Sequence, residues 1–341
     1  SFALLVYASS YLKCRYPAVF ACALLNAQPM GFYAPAQIVR DAREHGVEVR
    51  SIDVNRSGWD NSLEGPPERL ALRIGLRQVD GFRQAWAEAI VAARGQGAFA
   101  SIEELARRAD LPRRALRLLA DADAFLDRRA ALWEARRTPD GELPLFAAAR
   151  ARELGEEPDA QLPTMPLSEH VAADYQLTRL SLKGHPMQFL REMFRREGVL
   201  SCAEASAARN GSRAKVAGVV LVRQRPGEGK AIFVTLEDET GVTNVLLWAR
   251  TFEVQRRQVM ASRLMLVEGE IQRSPEGVVH LMGAIVHDRS AELDRLSEDH
   301  RPEIELSRAD VFEHPQMPRH NVPRGSHPRD VRILPRSRDF H

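Results

Sequence analysis

The sequence predicts a multidomain α+β protein in which helical domains precede a five-stranded OB-fold β-barrel. Its 341 residues exceed the roughly 250 to 300 at which a single hydrophobic core stops growing. Apolar residues recur at helical spacing up to about residue 212, and from Arg213 onward they alternate with a period of two. This change of period indicates helical modules followed by a β module.

Two irregular segments mark the expected domain boundaries. Residues 55–68 are polar and rich in Gly and Pro, and residues 147–166 lose periodicity while gaining Pro, Gly and Glu. We therefore expect five parts, which are an N-terminal helical portion at 1–60, a tandem helix-hairpin-helix domain at 70–127, a linker and helical connector at 128–212, an OB-fold at 213–288 and a basic C-terminal tail at 289–341.

The composition excludes a membrane protein, and it argues against a protein that binds polyanions through its overall charge. The hydrophobic content is 44% and the net charge is only +2, although the local distribution of charge matters more than its sum. The apolar start lacks a basic leading region, so we interpret it as a helix pair broken at Pro17 rather than a signal peptide. Three cysteines without metal-ligand spacing favour a reducing, cytoplasmic location.

The first 60 residues are typical of helices followed by a short strand. Pro35 suits the first turn of a helix, and Gly46 suits the position just after its end. Residues 47–54 then alternate like a β-strand.

The turn Val79-Asp80-Gly81-Phe82-Arg83 joins two helical segments, and it could bind a phosphate or serve as an ordinary connection. Gly81 allows close backbone approach just before a helix whose free N–H groups favour an anion. A helix-hairpin-helix normally has a second Gly at the position of Arg83. The arginine restricts the backbone there but adds a positive charge, so contact with a phosphate remains possible. The expected DNA-binding residues here are Arg77, Gly81, Phe82 and Arg83.

A second helical pair follows, with Ser101 as the expected N-cap of its first helix and Pro112 in the first turn of its second. Arg113 and Arg114 stand at the start of that second helix, so a tandem of two hairpins could grip one DNA backbone. Residues 107–117 carry a net charge of +4, and the residues from Met317 onward also carry +4. Each cluster could equally be a solvated surface.

The C-terminal half contains five strand candidates, with a helical stretch at 249–261 between the third and the fourth. This is the order of elements in an OB-fold. The strand candidates lie at 214–224, 231–241, 242–248, 263–273 and 278–288. Single-strand binding needs cations along the backbone and rings that stack on bases. The rings of Phe233 and Trp248 could supply this stacking, or they could instead face the barrel core. The candidate DNA-binding residues of the barrel are Lys215, Arg223, Arg225, Lys230, Phe233 and Trp248.

No arrangement in the sequence predicts catalysis by this chain. Glu237 and Asp238 form a carboxylate pair, but their place at a strand end favours a turn-shaping role. His185 has no second ligand at metal-binding spacing, so a capping or packing role is favoured. We therefore assign no catalytic residue, metal ligand or cofactor to the chain.

The order of these parts resembles the C-terminal part of bacterial C-family DNA polymerases. The resemblance rests on the N-terminal helices, on "FASIEELARRADLPRRALRLLADADAF", on "LSLKGHPM" and on "VTLEDETG". "NAQPMGFYAPAQIVRDAREHGVEVRSIDVNRSGWD" and the ending "HPRDVRILPRSRDFH" resemble the error-prone, damage-inducible branch. The resemblance covers nearly the whole chain.

This resemblance implies a DNA-directed DNA polymerase acting in translesion synthesis, whose catalytic palm and Mg²⁺ lie outside this chain. Residues 1–60 would correspond to the distal fingers, the hairpins would hold duplex DNA, and the barrel would lie near single-stranded template. Expected partners are DNA, accessory proteins of the mutagenic complex and a sliding clamp. The expected partner-binding residues lie in the apolar segment after Glu142, and they are Leu143, Leu145 and Phe146.

Two other interpretations remain open on the sequence alone. A hairpin-plus-barrel repair enzyme, such as a DNA ligase fragment, should carry an adenylated Lys motif, and none is present. A non-catalytic interaction module would bind proteins through the barrel, the apolar segment and the tail, with incidental DNA affinity.

Overall fold

Two units make up the part of the chain that a computed structural model describes. The first unit spans Ser1–Leu182 and the second spans Lys183–His341. The described residues within them are 2–30, 33–125, 127–138, 164–226 and 230–297. A helical unit followed by a unit with a closed five-stranded barrel confirms the predicted mixed fold.

The chain begins with two helices, α1 (Phe2–Arg15) and α2 (Pro17–Asn26). Pro17 has no amide hydrogen, so it can start α2 but could not continue α1. This break was predicted. None of the residues of α1 is buried, whereas α2 buries Ala18, Ala21, Cys22 and Leu25.

A small sheet follows helix α3 (Pro35–Glu44), with β3 (Ala71–Arg73) between β1 (Val49–Arg50) and β2 (Ser62–Glu64). Strand β3 runs parallel to β1 and antiparallel to β2. The strand predicted over 47–54 is shorter than expected, because the chain leaves the sheet early. Its Val54 N–H donates to Ala124 O at 3.1 Å instead of pairing with a strand.

The helices that come directly after the sheet bury apolar stripes against one another. A short 3-10 turn precedes the first of them. Ser101 Oγ accepts a hydrogen bond from Glu104 N–H at 3.1 Å, which confirms the predicted N-cap. The helices are α4 (Gln84–Arg94), α5 (Ile102–Ala109), α6 (Arg113–Asp121) and α7 (Arg128–Arg137).

Helix α8 (Leu167–Thr178) joins the first unit through buried charges. The guanidinium of Arg128 is almost fully buried, and it donates to Asp174 Oδ1 and to His170 O. Such a buried pair needs its hydrogen bonds satisfied to offset desolvation. These contacts fix α8 against the start of α7.

The second unit begins with α9 (Pro186–Arg196) and α10 (Cys202–Ala207) and continues into a closed five-stranded barrel. Alternate residues of each strand face its core, as Ile232, Val234 and Leu236 do. Helices α11 (Ala249–Val254) and α12 (Arg256–Ala261) occupy the predicted position between the third and fourth strands. The barrel strands are β4 (Arg213–Gln224), β5 (Ala231–Asp238), β6 (Gly241–Trp248), β7 (Leu264–Arg273) and β8 (Val279–Asp288). Around the barrel they are arranged in the order β4-β5-β6-β8-β7.

The turn between β5 and β6 is organised by the buried carboxylate of Asp238. Its Oδ1 accepts the Thr240 and Gly241 amides at 2.7 and 3.0 Å, and its Oδ2 accepts Arg191 Nη2 at 2.6 Å. Burial works to raise the pKa of Asp238, but its hydrogen bonds, with that from Thr240 the largest, outweigh burial and lower the pKa. The carboxylate thus shapes the turn, as the sequence predicts, and fastens α9 to the barrel.

Candidate nucleic-acid interface

The first hairpin turn places a left-handed glycine directly before a helix. Gly81 has φ +75°, a region that side-chain-bearing residues adopt rarely. Phe82 follows with a buried side chain, and Arg83 is the extended N-cap residue of α4. The left-handed step lets the chain reverse between the 3-10 turn and α4.

Several amides at this tip have no acceptor. Those of Asp80 and Phe82 are used, since they donate to Leu177 O at 2.8 Å and to Val79 O at 3.1 Å. Within the described part of the chain, no acceptor meets the amides of Gly81, Arg83, Gln84 and Ala85, all of them exposed residues. Free donors at a helix N-terminus favour an anion such as a phosphate.

The second hairpin repeats the backbone of the first with different side chains. Asp110 is left-handed with φ +48°, Leu111 is buried, and Pro112 is the extended N-cap residue of α6. The amides of Asp110 and Leu111 both bond to Ala106 O, and Pro112 has no amide hydrogen. This turn therefore offers fewer donors than the first, and it carries a carboxylate at its tip.

Arg114 brings the two hairpins together. Its Nη2 atom lies 3.7 Å from the position that a Cβ atom on Gly81 would occupy. Arg114 is exposed, and no carboxylate or carbonyl among the described residues pairs with its guanidinium. The guanidinium of the second hairpin therefore lies next to Gly81, whose amide has no acceptor among the described residues, and a cation beside a free amide can bind a phosphate.

Two other arginines of the hairpins, Arg83 and Arg113, differ in their contacts. The guanidinium of Arg83 stacks on Trp86, with Cζ 5.0 Å from the ring centroid, and it has no anionic partner among the described residues. Arg113 instead donates from Nε to Thr138 O at 2.6 Å, which ties it to the end of α7. Arg83 and Arg114 are thus better placed for an external anion than Arg113.

Two residues predicted to contact DNA in this region have internal roles instead. The ring of Phe82 is buried and meets Trp86 edge to face at 5.3 Å between ring centroids. The guanidinium of Arg77 donates to Asn26 O at 2.8 Å, Gln28 O at 2.9 Å and Asp60 Oδ1 at 2.6 Å. Both predictions are corrected, since Phe82 belongs to the core and Arg77 secures the end of α2.

The barrel presents its rings on the outer face. Phe233 lies between the fully buried Ile232 and Val234, and Trp248 is 55% exposed at the end of β6. Strand register places Phe233 opposite Leu246, and Trp248 is the next outward residue along β6 after Leu246. Phe233 and Trp248 are therefore diagonal neighbours, which lie about 7 to 8 Å apart on a sheet. The structure therefore decides between the two alternatives in favour of outward rings.

Of the four cations predicted on the barrel, Arg223 is misassigned. It is 2% exposed, and its guanidinium donates to Val259 O at 2.7 Å and to Ser262 O, so it caps the end of α12. The other three lie toward the surface. Lys215 pairs with Glu268 at 3.5 Å, Arg225 approaches Glu253 at 3.9 Å, and Lys230 is exposed just before β5.

Sequence reasoning missed residues that share the outer face with the rings. The His280 ring meets Phe233 edge to face at 6.2 Å between ring centroids, and register places Met282 of β8 beside Leu246. Alternation along β8 was a signal for them, but pairing of β6 with β8 is a long-range feature. The missed outer-face residues are Leu246, His280 and Met282.

The groups considered for catalysis are engaged in structural contacts. His185 caps α9, with its Nδ1 accepting the Met187 N–H at 3.2 Å. Burial raises the pKa of the Cys202 thiol to about 12, so this thiol stays protonated. Over the ranges that the structure describes, no group of three or more His, Cys, Asp or Glu side chains could hold a metal ion. In the same ranges no helix has the length and apolar character to span a membrane.

Family models identify both modules. One described as a helix-hairpin-helix motif matches residues 46–131, and one described as an OB-fold nucleic acid binding domain matches residues 214–289. The chain therefore combines a helix-hairpin-helix domain with an OB-fold of the nucleic-acid-binding type.

The curated relatives that the chain resembles are error-prone DNA polymerases. Over its whole length the chain is 55% identical to an error-prone DNA polymerase of Brucella abortus and 54% identical to one of Rhodopseudomonas palustris, covering 31% and 32% of those proteins. A relative in a Bradyrhizobium species is 47% identical, with 36% of it covered. The chain is thus similar over its whole length to error-prone DNA polymerases, and it spans about a third of the length of these relatives.

Similarity to solved structures is limited. An asparaginyl-tRNA synthetase from Pyrococcus horikoshii matches 26% of this chain with 22% of its own, at 20% identity and a TM-score of 0.23. Similarity this low supports no conclusion about function.

Proposed function

We propose that this chain is the DNA-binding C-terminal portion of an error-prone DNA-directed DNA polymerase acting in damage-induced mutagenesis and translesion synthesis. Whole-length identity of 47–55% to proteins of that name supports the proposal. Two nucleic-acid-binding modules in one chain support it independently. In this proposal the chain holds DNA, and nucleotidyl transfer takes place in the part of the relatives that it does not span.

The hairpins would hold one phosphate of the duplex backbone. The exposed amides of Gly81 and Arg83 would donate to its oxygens, and the neighbouring Arg114 would supply a charge-assisted hydrogen bond. This mode of binding reads no base edges, so it suits a polymerase that must hold any sequence. The single observation that carries the proposal is the position of Arg114 beside Gly81.

The barrel would bind the single-stranded template on its outer face. Trp248 and Phe233 offer ring surfaces to successive bases, and Lys230 lies at the end of the face where Trp248 stands. Stacking depends little on base identity, because every base has an aromatic face. This property suits a template that contains damaged bases.

Catalysis and recruitment extend the proposal beyond this chain. We place Mg²⁺ in the catalytic palm of the whole polymerase, where two metal ions would support phosphoryl transfer. Accessory proteins of the mutagenic complex and a sliding clamp are proposed partners. The candidate clamp-binding residues Leu143, Leu145 and Phe146 lie outside the described residues.

Fluorescence anisotropy with the full 341-residue chain and a labelled primer-template tests the proposal. We expect binding that weakens steeply with salt, little preference for sequence and no nucleotide incorporation with Mg²⁺ and nucleoside triphosphates present. The matched variants Arg114→Ala and Arg196→Ala each remove one arginine. Arg114→Ala should weaken binding, whereas Arg196 lies on α9 in an exposed pair with Glu192 and should not matter. Nucleotide incorporation by this chain, or equal effects of the two variants, would contradict the proposal.

A further inference from the structure

The first hairpin is supported by a segment that lies far from it in the sequence. The Asp80 N–H donates to Leu177 O at 2.8 Å, at the end of α8, and Arg179 Nη2 lies 3.3 Å from Asp80 Oδ2. These contacts span about 100 residues and come from outside the matched helix-hairpin-helix region at 46–131. The conformation of the hairpin tip thus depends on the turn after α8.

That turn is well defined. Thr178 Oγ1 lies 2.8 Å from both Asp174 O and Leu180 O, within hydrogen-bonding distance of each. Arg179 follows in the left-handed conformation with φ +60°, which is rare for a residue with a long side chain. Its side chain is 21% exposed, whereas that of Asp80 is 53% exposed. The strained backbone directs the guanidinium toward the hairpin.

The charge of Asp80 makes this contact matter for DNA. Asp80 immediately precedes Gly81, so its carboxylate lies beside the amides proposed to hold a phosphate. An unpaired carboxylate there would repel the phosphate, and Arg179 offsets that charge. Asp110, the carboxylate at the second tip, has no such cationic partner among the described residues. Only the first tip is therefore electrostatically prepared for an anion.

We infer that Arg179 is a positioning residue of the phosphate site, which neutralises Asp80 and, with the Leu177 carbonyl, fixes the first hairpin for DNA. This inference rests on the proposed phosphate contact by that hairpin. Arg179 itself does not touch the phosphate. It acts through Asp80, so its effect on DNA binding must disappear when the charge of Asp80 is removed.

A charge-removal cycle in the full chain tests this inference. Arg179→Gly removes the guanidinium while keeping a residue that favours the left-handed backbone, so the fold should be retained, which a thermal melt checks. Duplex affinity, measured by anisotropy at low salt, should fall about threefold to fivefold because Asp80 is left unpaired. Adding Asp80→Asn to Arg179→Gly should restore affinity to the wild-type value, and Asp80→Asn alone should equal or exceed it.

Three further variants, Arg179→Lys, Arg196→Ala and Arg114→Ala, distinguish the possible failures. Arg179→Lys keeps the charge and should bind DNA within about twofold of wild type, because charge rather than shape is required. Arg196→Ala is the control for loss of one surface charge, and Arg114→Ala reports on the proposed phosphate site. If Arg114→Ala weakens binding but Arg179→Gly does not, or if Asp80→Asn fails to rescue Arg179→Gly, the inference is wrong while the phosphate site stands. If Arg114→Ala has no effect, the phosphate site fails and the inference fails with it.

Discussion

The two hairpins of the first unit have the same backbone and opposite chemistry. In each, a left-handed residue is followed by a buried apolar residue and then by an extended residue that begins a helix. The sequence Gly81-Phe82-Arg83 fills these positions in the first hairpin, and Asp110-Leu111-Pro112 fills them in the second. The backbone conformation and the buried apolar residue are therefore common to both hairpins, whereas the residue types at the exposed positions differ.

The difference indicates that the two hairpins contribute different groups to DNA binding. The first tip supplies backbone donors, because Gly81 and Arg83 leave their amides free and add no negative charge. The second tip supplies a side chain, because Pro112 has no amide hydrogen while Arg114 reaches across to Gly81. We therefore expect substitutions that exchange the residues at the two tips to change DNA binding in opposite directions.

The largest effect is expected when the first tip receives the residue of the second. Gly81→Asp places a carboxylate beside Arg114, so an internal ion pair replaces the phosphate, and duplex affinity should fall about tenfold to thirtyfold. Asp tolerates the left-handed conformation better than most residues, so the fold should survive. Anisotropy titrations and a thermal melt measure the two quantities.

The reciprocal substitution Asp110→Gly is the matched control. It removes a carboxylate and a strained conformation, so duplex affinity should stay the same or rise, and the free energy of unfolding should rise by about 0.5–1 kcal/mol. Equal losses of affinity in Gly81→Asp and Asp110→Gly would show that the tips are equivalent.

The barrel provides a test of whether hairpins and barrel hold different forms of DNA. Trp248→Ala should lower affinity for single-stranded DNA about tenfold, because one stacked base is worth about 1–3 kcal/mol. Affinity for blunt duplex should change less than twofold. Phe233→Ala should have a smaller effect, since its ring is half-buried against His280. Loss of duplex binding in Trp248→Ala would contradict this separation.

Removal of single arginines should give a smaller, graded effect. Arg114→Ala should lower duplex affinity about fivefold and reduce the slope of log affinity against log salt by about one. Arg113→Ala should change affinity about twofold at most, because its Nε is bonded to Thr138 O. The measurement is a salt titration of both variants. A steeper loss in Arg113→Ala would reverse the roles assigned to the two side chains.

Local patterns in the sequence predicted the fold and some of the site. Alternation of buried and outward residues located the five strands, and the turn at Gly81 indicated a hairpin. Residue type could not reveal burial, which is why Phe82 was assigned to DNA although its ring packs against Trp86. The proximity of Arg114 to Gly81 depends on how α5 packs against both α4 and α6, so it cannot be predicted from a local sequence pattern.

A β-bulge in β4 explains why the surface position expected for Arg223 is wrong. The pairing of β4 with β5 shifts between Val220 and Val222, where a β-bulge inserts one residue. A bulge exchanges the inward and outward positions beyond it, so Arg223 turns inward and caps α12. Strict alternation from Val216 would have placed it on the surface.

The most direct test of the account is to observe the amides of the first hairpin while duplex DNA binds. A two-dimensional amide NMR spectrum of the deuterated chain, titrated with a short blunt duplex, reports on each N–H separately. We predict the largest shifts at Gly81, Arg83 and Gln84, with the Asp110 and Leu111 amides nearly unchanged because both already bond to Ala106 O. Shifts confined to the second hairpin or the barrel, with the Gly81 amide unmoved, would contradict the phosphate site.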